Sequence, residues 1–411
     1  MVDKNRKIVI AAAVRTPVGT MGGNFKDVTN VDLGVTAVKA AIERAGIKPE
    51  DVQRVFMGCC LPGASKANVA RQVTLNSGIP VEAPAVTINV LCGSGLEAVN
   101  MGARVIDFGD ADVVVAGGCE NMSRAPYLLA KGRFGYRLGN AQIYDHMLYD
   151  GLVDAFYDYH MGCTAENVAD QYNISREEMD EFALESQKRA AKADQSGRFK
   201  DEIAPVSVPG KRGAVTVIDQ DQGIRYEQTM EQLAKLKPAF WHEGKKTDGN
   251  KEGREGRVTA GNASGINDGA AVVVLMSEEK AKELGVKPLA YWLGSEMGGV
   301  DPSVMGLGPI VAVNRLMKKL DCDINKFDLI ELNEAFAAQS IACVRDLKID
   351  MDKCNVNGGA VALGHPVGCS GCRILVTLIH EMLKRPEAKF GLASLCVGGG
   401  MGVATAVQKY E

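Results

Sequence analysis

Two distant stretches of this chain repeat one order of predicted elements: strand, helix, a turn of small residues, helix, and a strand that runs into glycines. The early copy begins with an apolar strand at 52–58, turns at Cys92 and ends with a strand at 112–118. The late copy begins with a strand at 327–333 and ends with one at 392–400. Strands that alternate with helices are typical of α/β sheets, and self-similarity of this kind indicates an internal duplication. The sequence therefore predicts an α/β fold of two similar halves, with a ligand crevice where the strand ends of both halves meet.

Composition limits the classes of protein that fit this pattern. The chain has 411 residues, 46% of them hydrophobic and 24% charged, which predicts a globular protein of two or three domains. A net charge of −4 provides no basic surface for nucleic acid or for an anionic membrane. No run is long and apolar enough to span a bilayer, and residues 1–7 lack the apolar core of a signal peptide. We therefore expect a cytoplasmic protein without nucleic-acid or membrane partners.

The eleven cysteines do not indicate a disulfide framework, because their number is odd and the chain is large. Cys369 and Cys372 have the spacing of zinc ligands, but no second Cys or His pair stands near them in sequence to complete a tetrahedral site. We expect no metal site, and we expect most of the thiols to be reduced packing residues.

The segment between the two copies, at about 124–256, has a different character. It holds a polar helix predicted from a capping box at Ser175, followed by pieces punctuated by Gly and Pro. The run 242–257 has no apolar anchor and predicts a surface loop. The apolar strand at 269–276 then resumes the core of the first half.

The turn at Cys92 is the first candidate for chemistry. Its context, an apolar strand that breaks at small residues before a helical pattern resumes, predicts a thiol at the first turn of a helix. Free backbone N–H groups and the positive end of the helix dipole favour a thiolate there, and a thiolate makes a good thioester. This position by itself indicates acyl transfer, although a cysteine beside glycines is more often a small buried hydrophobe.

Three patches near the C-terminus strengthen the case for acyl transfer. Polar side chains end a strand at 333–337, one histidine, His365, stands in the glycine-rich apolar run 358–368, and Cys396 ends a strand that runs into three glycines. A lone histidine in an apolar run and a lone cysteine at a strand end are each more often core residues. Their joint occurrence at turns and strand ends of a duplicated fold, facing Cys92 on the other half, favours one shared catalytic site.

With these patches in view, the chain resembles the thiolase family over essentially its whole length. The motifs that carry the resemblance are Asn89–Gly95 around the nucleophile, Thr259–Gly269, Asn-Glu-Ala-Phe at 333–336, Gly-His-Pro at 364–366 and Cys-x-Gly-Gly-Gly at 396–400. The resemblance implies a thiolase-like fold of two duplicated α/β halves in stacked layers, with an inserted loop domain that covers coenzyme A. It implies an N-terminal half of 1–123 plus 257–281, a loop domain of 124–256 and a C-terminal half of 282–411.

The resemblance also implies the roles of five catalytic residues. Cys92 would carry the acyl group, with His365 as its base, and Cys396 would move the second proton. His365, with a water held by Asn333, would stabilise the enolate-like thioester oxygen. The backbone N–H groups of Cys92 and Gly398 would bind the oxygen of the acyl-enzyme. Claisen chemistry between thioesters needs this set: a nucleophile, a base of thiol-like pKa and donors for two oxyanions.

The implied substrates are coenzyme A thioesters, with no permanently bound cofactor. The segment 160–167 resembles that of short-chain, biosynthetic-type thiolases, in which methionines corresponding to Met161 and Met305 close the acyl pocket. The expected reaction is therefore the reversible condensation of two acetyl-CoA to acetoacetyl-CoA and CoA, in a homotetramer. The further residues expected to bind the substrate are His160, Arg225, Phe240, Ser264 and Phe336. The run 242–257 is longer than the connection that thiolases usually have at this place. Because it follows closely after Phe240, it could alter the coenzyme A entrance and with it the role expected for Phe240.

Alternatives remain at this point. A longer-chain degradative 3-ketoacyl-CoA thiolase differs only in the pocket methionines. A β-ketoacyl synthase shares the duplicated scaffold, but it has no catalytic second cysteine such as Cys396. A catalytically silent scaffold that binds RNA or lipid would not need all the catalytic positions to be filled. Finally, if the sulfurs of Cys92 and Cys396 converge with some thiolate character, mild oxidant is expected to link them in a reversible disulfide; the alternative is irreversible over-oxidation of Cys92 alone.

Overall fold

Two halves with the same strand order dominate the fold of this chain, and the computed structural model describes residues 6–240 and 256–411. The predicted loop at 242–257 therefore lies outside the described residues, apart from its last two positions. The elements of the first half before the middle segment are β1 (Ile8–Arg15), β2 (Gly19–Thr20), α1 (Asn30–Ala45), β3 (Arg54–Gly58), α2 (Val69–Asn76), β4 (Ala85–Ile88), α3 (Ser94–Asp107) and β5 (Val113–Asn121).

The middle segment holds three helices joined by short strands and loops, and the chain then returns to the first half before the second half begins. The middle elements are β6 (Tyr127–Leu128), β7 (Tyr144–Asp145), α4 (Met161–Gln171), α5 (Arg176–Gln195), β8 (Val206–Pro209), β9 (Val215–Ile218) and α6 (Met230–Ala234). The remaining elements are β10 (Asn267–Ser277), α7 (Glu278–Glu283), β11 (Ala290–Gly299), α8 (Gly308–Leu320), β12 (Leu329–Leu332), α9 (Ala337–Leu347), α10 (Ala360–Leu363), α11 (Val367–Lys384), β13 (Phe390–Val397) and β14 (Met401–Lys409). As predicted, α5 begins at a capping box in which Ser175 and Glu178 bond each other's backbone N–H groups.

The pairing of the strands confirms the predicted duplication. In the first half the order is β1-β10-β5-β3-β4, with antiparallel pairs for β1-β10 and β10-β5 and parallel pairs for β5-β3 and β3-β4. In the second half β11-β14-β13-β12 follow the same order and the same directions, and a parallel bridge from Ile330 to Cys354 stands where β4 stands in the first. The halves join where Ile8–Ile10 pairs antiparallel with residues 290–292.

The strands and helices form stacked layers, because the central strands bury side chains on both of their faces. Alternate residues of a strand face opposite sides, so each sheet presents two faces. In the first half of the sheet one face packs on α1 and α2, and in the second half the outer face packs on α8 and α9. The inner faces of the two halves share one apolar cluster with α3 and α11, which lie between them. The helix that follows the nucleophile and the helix that follows His365 are thus neighbours in the central layer.

Glycines allow α3 and α11 to approach closely. A Cβ atom at Gly95 would lie 2.9 Å from the carbonyl oxygens of Gly368 and Cys369, and one at Gly371 would lie 2.6 Å from the backbone nitrogen of Leu96. Real side chains do not tolerate such contacts, so only glycine fits at these crossing points. This close crossing brings the N-terminal ends of the two helices, and the residues before them, to one place.

Several predicted boundaries were wrong; the strand predicted at 392–400, for example, ends at Val397. The last strand of the first unit extends from 113 to Asn121 rather than ending at 118, because its polar end continues to pair with β10 as far as Asp268. The small residues 368–371, which the repeated order predicts as the turn before the last helix of the late copy, instead form the first turn of α11, since this helix begins at Val367.

Candidate active site

Cys92 lies in a tight turn between β4 and α3. Helix α3 begins at Ser94, so Cys92 precedes the helix by two residues, and the prediction that it lies in the first turn was wrong. Leu91 takes a left-handed conformation with φ of 44°, which is uncommon for a residue other than glycine. The Ser94 hydroxyl stabilises the turn, because it accepts from the Val90 N–H at 2.8 Å and donates to the Leu91 carbonyl at 2.7 Å.

The protonation state of Cys92 also differs from the prediction. Burial raises the pKa of its thiol to about 11, although hydrogen bonds from the backbone N–H groups of Gly398 and of Cys92 itself lower it. The expected resting thiolate was therefore wrong, because desolvation outweighs the donors near the helix end. Burial likewise raises the pKa of Cys396 well above its usual value, so the thiolate character assumed for a Cys92–Cys396 disulfide is absent in the resting state. The disulfide itself stays a prediction.

His365 lies in the short connection between α10 and α11. Its backbone N–H donates to Oδ1 of Asn267 at 2.9 Å, and its Nδ1 lies 2.6 Å from the hydroxyl of Ser370. Gly364 has φ of 109°, and a Cβ atom there would overlap the Asn267 side chain. Burial and the charge of Arg373 lower the pKa of His365 to about 4, so the imidazole is neutral at physiological pH. The neutral imidazole keeps one nitrogen lone pair with which it can accept a proton.

One cavity of about 420 Å³ gathers ten of the twelve site residues that the sequence predicts. These ten are Cys92, His160, Met161, Arg225, Phe240, Ser264, Met305, Phe336, His365 and Gly398. The other two are fully buried behind the lining: Nδ2 of Asn333 lies 3.5 Å from Nδ1 of His365, and Cys396 packs in the same apolar cluster as Met161 and Met305. Residues far apart in sequence, from both halves and from the middle segment, thus meet at one site.

Aromatic rings and methionines shape the walls of the cavity. The ring of His160 stacks on Phe240 with centroids 4.5 Å apart, and Phe240 meets Phe336 edge-on at 6.2 Å. Met161 and Met305 are almost fully buried. A Cβ atom at Gly398 would lie 2.7 Å from the terminal methyl of Met161, so the methionine closes the space beside the backbone N–H that faces the thiol.

Sequence reasoning missed several residues that support the site. Glu120 is fully buried, and its carboxylate accepts from the backbone N–H groups of Cys60, Leu61 and Gly368 at 2.8–3.1 Å. The sequence did offer one sign of this role: Glu120 places a carboxylate near the end of a strand that otherwise consists mostly of small apolar residues. Ser370 and Asn267 contact His365, but nothing in the sequence indicated this. Ser370 looks like an ordinary helix residue, and Asn267 belongs to the motif Thr259–Gly269 without a role assigned to it.

Several apolar residues that line the cavity were missed as well. They are Met122, Leu152, Ile266 and Val367. These positions look like ordinary core residues in the sequence.

The lowered pKa of His365 predicts a pH-dependent stability. In the unfolded chain the imidazole titrates near 6.5, whereas in the fold it titrates near 4, so protons favour the unfolded state between these values. The free energy of unfolding is expected to fall as the pH drops from 6.5 to 4, by at most about 3 kcal/mol from this group. Thermal unfolding across this range measures the effect. His365→Asn should flatten the dependence, leaving the contributions of His160, whose pKa burial lowers to about 4, and of His380, whose pKa burial also lowers. An unchanged slope would contradict the prediction.

Two general properties of the described residues bear on the chemistry. Residues 6–240 and 256–411 contain no group of three or more His, Cys, Asp or Glu side chains placed to hold a metal ion. Within the same part of the chain, no helix has the length and apolar character needed to cross a membrane.

Comparisons with known proteins agree with this geometry. The family model described as the N-terminal domain of thiolase matches residues 8–279, and the model of the thiolase C-terminal domain matches residues 286–409. An acetyl-CoA acetyltransferase from Chromobacterium violaceum is 51% identical over 403 residues, which cover 98% of this chain and 100% of that protein. One from Syntrophomonas wolfei is 54% identical over 407 residues, with 98% and 99% coverage.

A solved structure leads to the same family. The crystal structure of the Bacillus anthracis acetyl-CoA acetyltransferase superposes with a TM-score of 0.93 at 46% identity, covering 98% of this chain and 99% of that one. Both family models, near-complete relatives at about half identity and a matching structure agree with the motifs that meet in the cavity, and we conclude that the chain belongs to the thiolase family.

Proposed function

We propose that this protein is an acetyl-CoA acetyltransferase that condenses two acetyl-CoA to acetoacetyl-CoA and CoA, reversibly and through an acyl-cysteine. The observation that carries the proposal is the convergence of Cys92, His365 and Gly398 on one cavity, with Cys396 and Asn333 directly behind its lining. The relatives from Chromobacterium violaceum and Syntrophomonas wolfei carry this name, which supports the assignment of the reaction.

In the first half-reaction, the Cys92 sulfur attacks the thioester carbonyl of acetyl-CoA, and Nε2 of His365 takes the thiol proton. The C–S bond to coenzyme A breaks, and the leaving thiolate takes a proton from Cys396. Because the thiol pKa of Cys92 is about 11, its proton has to move as the sulfur attacks. The backbone N–H groups of Cys92 and Gly398, which already donate to the sulfur, are suited to bind the acyl oxygen.

In the second half-reaction, the Cys396 thiolate removes a proton from the methyl group of a second acetyl-CoA. The resulting enolate-like oxygen is stabilised by His365 and by a water held by Asn333, whose Oδ1 is buried and has no hydrogen-bond partner among the described residues. The carbanion attacks the acetyl group on Cys92. Cys92 leaves as a thiolate and regains its proton from His365, so the proton balance closes.

The coenzyme A portion is proposed to lie along the wall that the middle segment provides. Phe240, Phe336 and His160 form its aromatic side, and Ser264 and Arg225 add polar groups to the lining. The Arg225 guanidinium is suited either to pair with a phosphate or to stack on adenine. This arrangement supports a loop domain of 124–256 over the substrate, with halves of 1–123 plus 257–281 and of 282–411.

Exposed apolar surface supports a homotetramer. β4 lies at the edge of the sheet with Val86 half exposed, which suits pairing with the same strand of a second copy. A second exposed patch surrounds β6 and β7, with Phe134 92% and Leu138 97% exposed, which is more than a monomer usually leaves in water. Two distinct patches provide the two kinds of interface that a dimer of dimers needs. Sedimentation equilibrium should give the mass of four chains. The mass of a monomer would contradict the proposal.

A cytoplasmic location is proposed because the mechanism depends on free thiols. Cys92 and Cys396 are both unbridged, and a reducing compartment keeps them so. No permanently bound cofactor is needed for the proposed steps, since coenzyme A thioesters supply both reactants.

The decisive experiment is a steady-state assay in the thiolysis direction. Acetoacetyl-CoA and a longer straight-chain 3-ketoacyl-CoA are compared, each with free coenzyme A. We expect a clearly higher kcat/KM for acetoacetyl-CoA. Equal or higher efficiency with the longer substrate would favour a degradative thiolase instead, and activity with neither would refute the proposal.

Met161 is predicted to set the limit on acyl length. Met161→Ala should raise the kcat/KM of the longer ketoacyl-CoA relative to acetoacetyl-CoA by about tenfold or more, because it removes overlap at the closed end of the pocket. Met179→Ala is the matched control, since Met179 is buried in the same apolar cluster but does not line the cavity. The control should lower stability and leave the ratio unchanged. If Met161→Ala leaves the ratio unchanged, Met161 is only a core residue.

A further inference from the structure

The hydroxyl of Ser370 takes part in two short contacts whose directions can be assigned. Its Oγ lies 2.9 Å from the backbone carbonyl of Pro366 and 2.6 Å from Nδ1 of His365. A carbonyl oxygen can only accept, so both contacts can be hydrogen bonds only if Ser370 donates its single hydroxyl proton to Pro366. In that arrangement the contact with His365 runs the other way, with Nδ1–H donating to the hydroxyl oxygen.

This assignment fixes both nitrogens of the neutral imidazole. When Nδ1 carries the hydrogen, Nε2 carries the lone pair. Nε2 of His365 is buried and makes no hydrogen bond to any described residue, while the histidine lines the same cavity as Cys92. The nitrogen with the lone pair is therefore the one left available for the thiol proton.

A competing contact favours the opposite tautomer. Nδ2 of Asn333 lies 3.5 Å from the same Nδ1, and an amide N–H there would donate to a lone pair on Nδ1. That distance is at the long limit of a hydrogen bond, whereas 2.6 Å to Ser370 is short. The stronger contact selects the tautomer, and without it the asparagine would favour a hydrogen on Nε2.

The surroundings hold Ser370 in position. It is fully buried in the first turn of α11, and its backbone N–H also donates to the Pro366 carbonyl at 2.9 Å. The backbone of His365 is in turn anchored to Asn267. Neither partner can rotate away without losing a hydrogen bond inside the protein, which makes the orientation of the imidazole well defined.

We propose that Ser370 is a positioning residue that keeps His365 in the tautomer with hydrogen on Nδ1, so that Nε2 is free to take the proton of Cys92. The inference rests on the proposed function, since it concerns the base of that reaction. A base held in the wrong tautomer carries a hydrogen where it should accept one. Groups that orient metal-bound histidines are typically worth about 10- to 100-fold in metal affinity or activity, and we expect an effect of the same order here.

The test replaces Ser370 and follows both turnover and the reactivity of Cys92. Ser370→Ala should lower kcat by about 10- to 100-fold and leave KM nearly unchanged, because the ground-state contacts to substrate remain. Alkylation of Cys92 by iodoacetamide should slow at neutral pH, and its pH dependence should shift upward, since the thiol loses its proton acceptor. A merely structural role would not move that pH profile.

Two further variants separate the hydrogen bond from packing. Ser370→Cys keeps nearly the same volume, but its sulfur is a weak acceptor, so it should be impaired like Ser370→Ala. Ser340→Ala removes another fully buried serine hydroxyl, one that has no hydrogen-bond partner among the described residues, and it should behave like the parent. Full activity with an unchanged alkylation profile in either Ser370 variant would overturn the proposal.

A measurement on the unmodified protein covers the case in which the variants do not fold. The chain has five histidines, and ¹⁵N NMR of histidine-labelled protein, with His365→Asn to assign the signal, reports the tautomer directly. A protonated Nδ1 and an unprotonated Nε2 are expected, and the reverse would refute the inference. If the parent shows this tautomer but has no activity on acetoacetyl-CoA, the proposed function fails and the positioning role of Ser370 stands.

Discussion

Replacing Cys92 with serine is expected to abolish the acetyl-enzyme and to lower kcat by roughly 10⁴-fold or more. The variant keeps the shape of the turn, but an alkoxide is far harder to form than a thiolate, even from a thiol whose pKa burial has raised to about 11. Incubation with acetyl-CoA followed by intact-mass measurement should show one acetyl group on the parent and none on the variant.

The control for this experiment is Cys322→Ser, which changes a partly exposed cysteine that does not line the cavity. It should acetylate and turn over like the parent. An acetyl adduct that persists on Cys92→Ser would assign the nucleophile to another residue, and the mechanism would have to be rebuilt around that residue.

The second large effect is expected at Glu120, which no step of the reaction uses. Its carboxylate joins the two halves beneath the site, because it accepts backbone N–H groups from Cys60 and Leu61 in one half and from Gly368 in the other. The Cys60 thiol in turn donates to the carbonyl of Leu91, the residue before the nucleophile. Burial raises the pKa of Glu120, while the three N–H groups lower it.

Glu120→Ala should therefore destabilise the fold and misalign the site together. Three buried N–H groups lose their acceptor at about 1–3 kcal/mol each, so we expect a loss of about 3 kcal/mol or more in the free energy of unfolding. We also expect kcat to fall at least about tenfold, since small displacements of a nucleophile are costly. Thermal unfolding and steady-state kinetics measure the two effects.

The design includes a graded and a neutral variant. Glu120→Gln keeps the shape but turns one accepting oxygen into a donor that faces N–H groups, so it should lose part of the stability. Glu283→Ala, on the exposed face of α7, should change the free energy of unfolding by less than about 0.5 kcal/mol. A parent-like melting temperature for Glu120→Ala would show that the carboxylate does not hold the halves together.

The amino-acid sequence determined the order of the elements from local rules, and most of the members of the site through its resemblance to the thiolase family. Local rules were sufficient for the elements and for the first candidates: the cap at Ser175 predicted the start of α5, and glycines marked the turn at Cys92 and the end of the strand at Cys396. The repeated order of strands and helices predicted the duplicated sheet. Ten of the twelve predicted site residues line one cavity, because the motifs lie at strand ends that the topology brings together.

Only the tertiary structure decided the protonation of these groups and the residues that hold them. A position near a helix end predicts a thiolate at Cys92, but burial depends on residues far away in sequence, and it outweighs the local donors. In the sequence Glu120 looks like an ordinary strand end, because the N–H groups that donate to it belong to other segments. Ser370 looks like an ordinary helix residue, because its contact with His365 depends on the turn of the backbone between them. Local propensity and pattern specify which segments form, whereas desolvation and long-range hydrogen bonds exist only once those segments have packed.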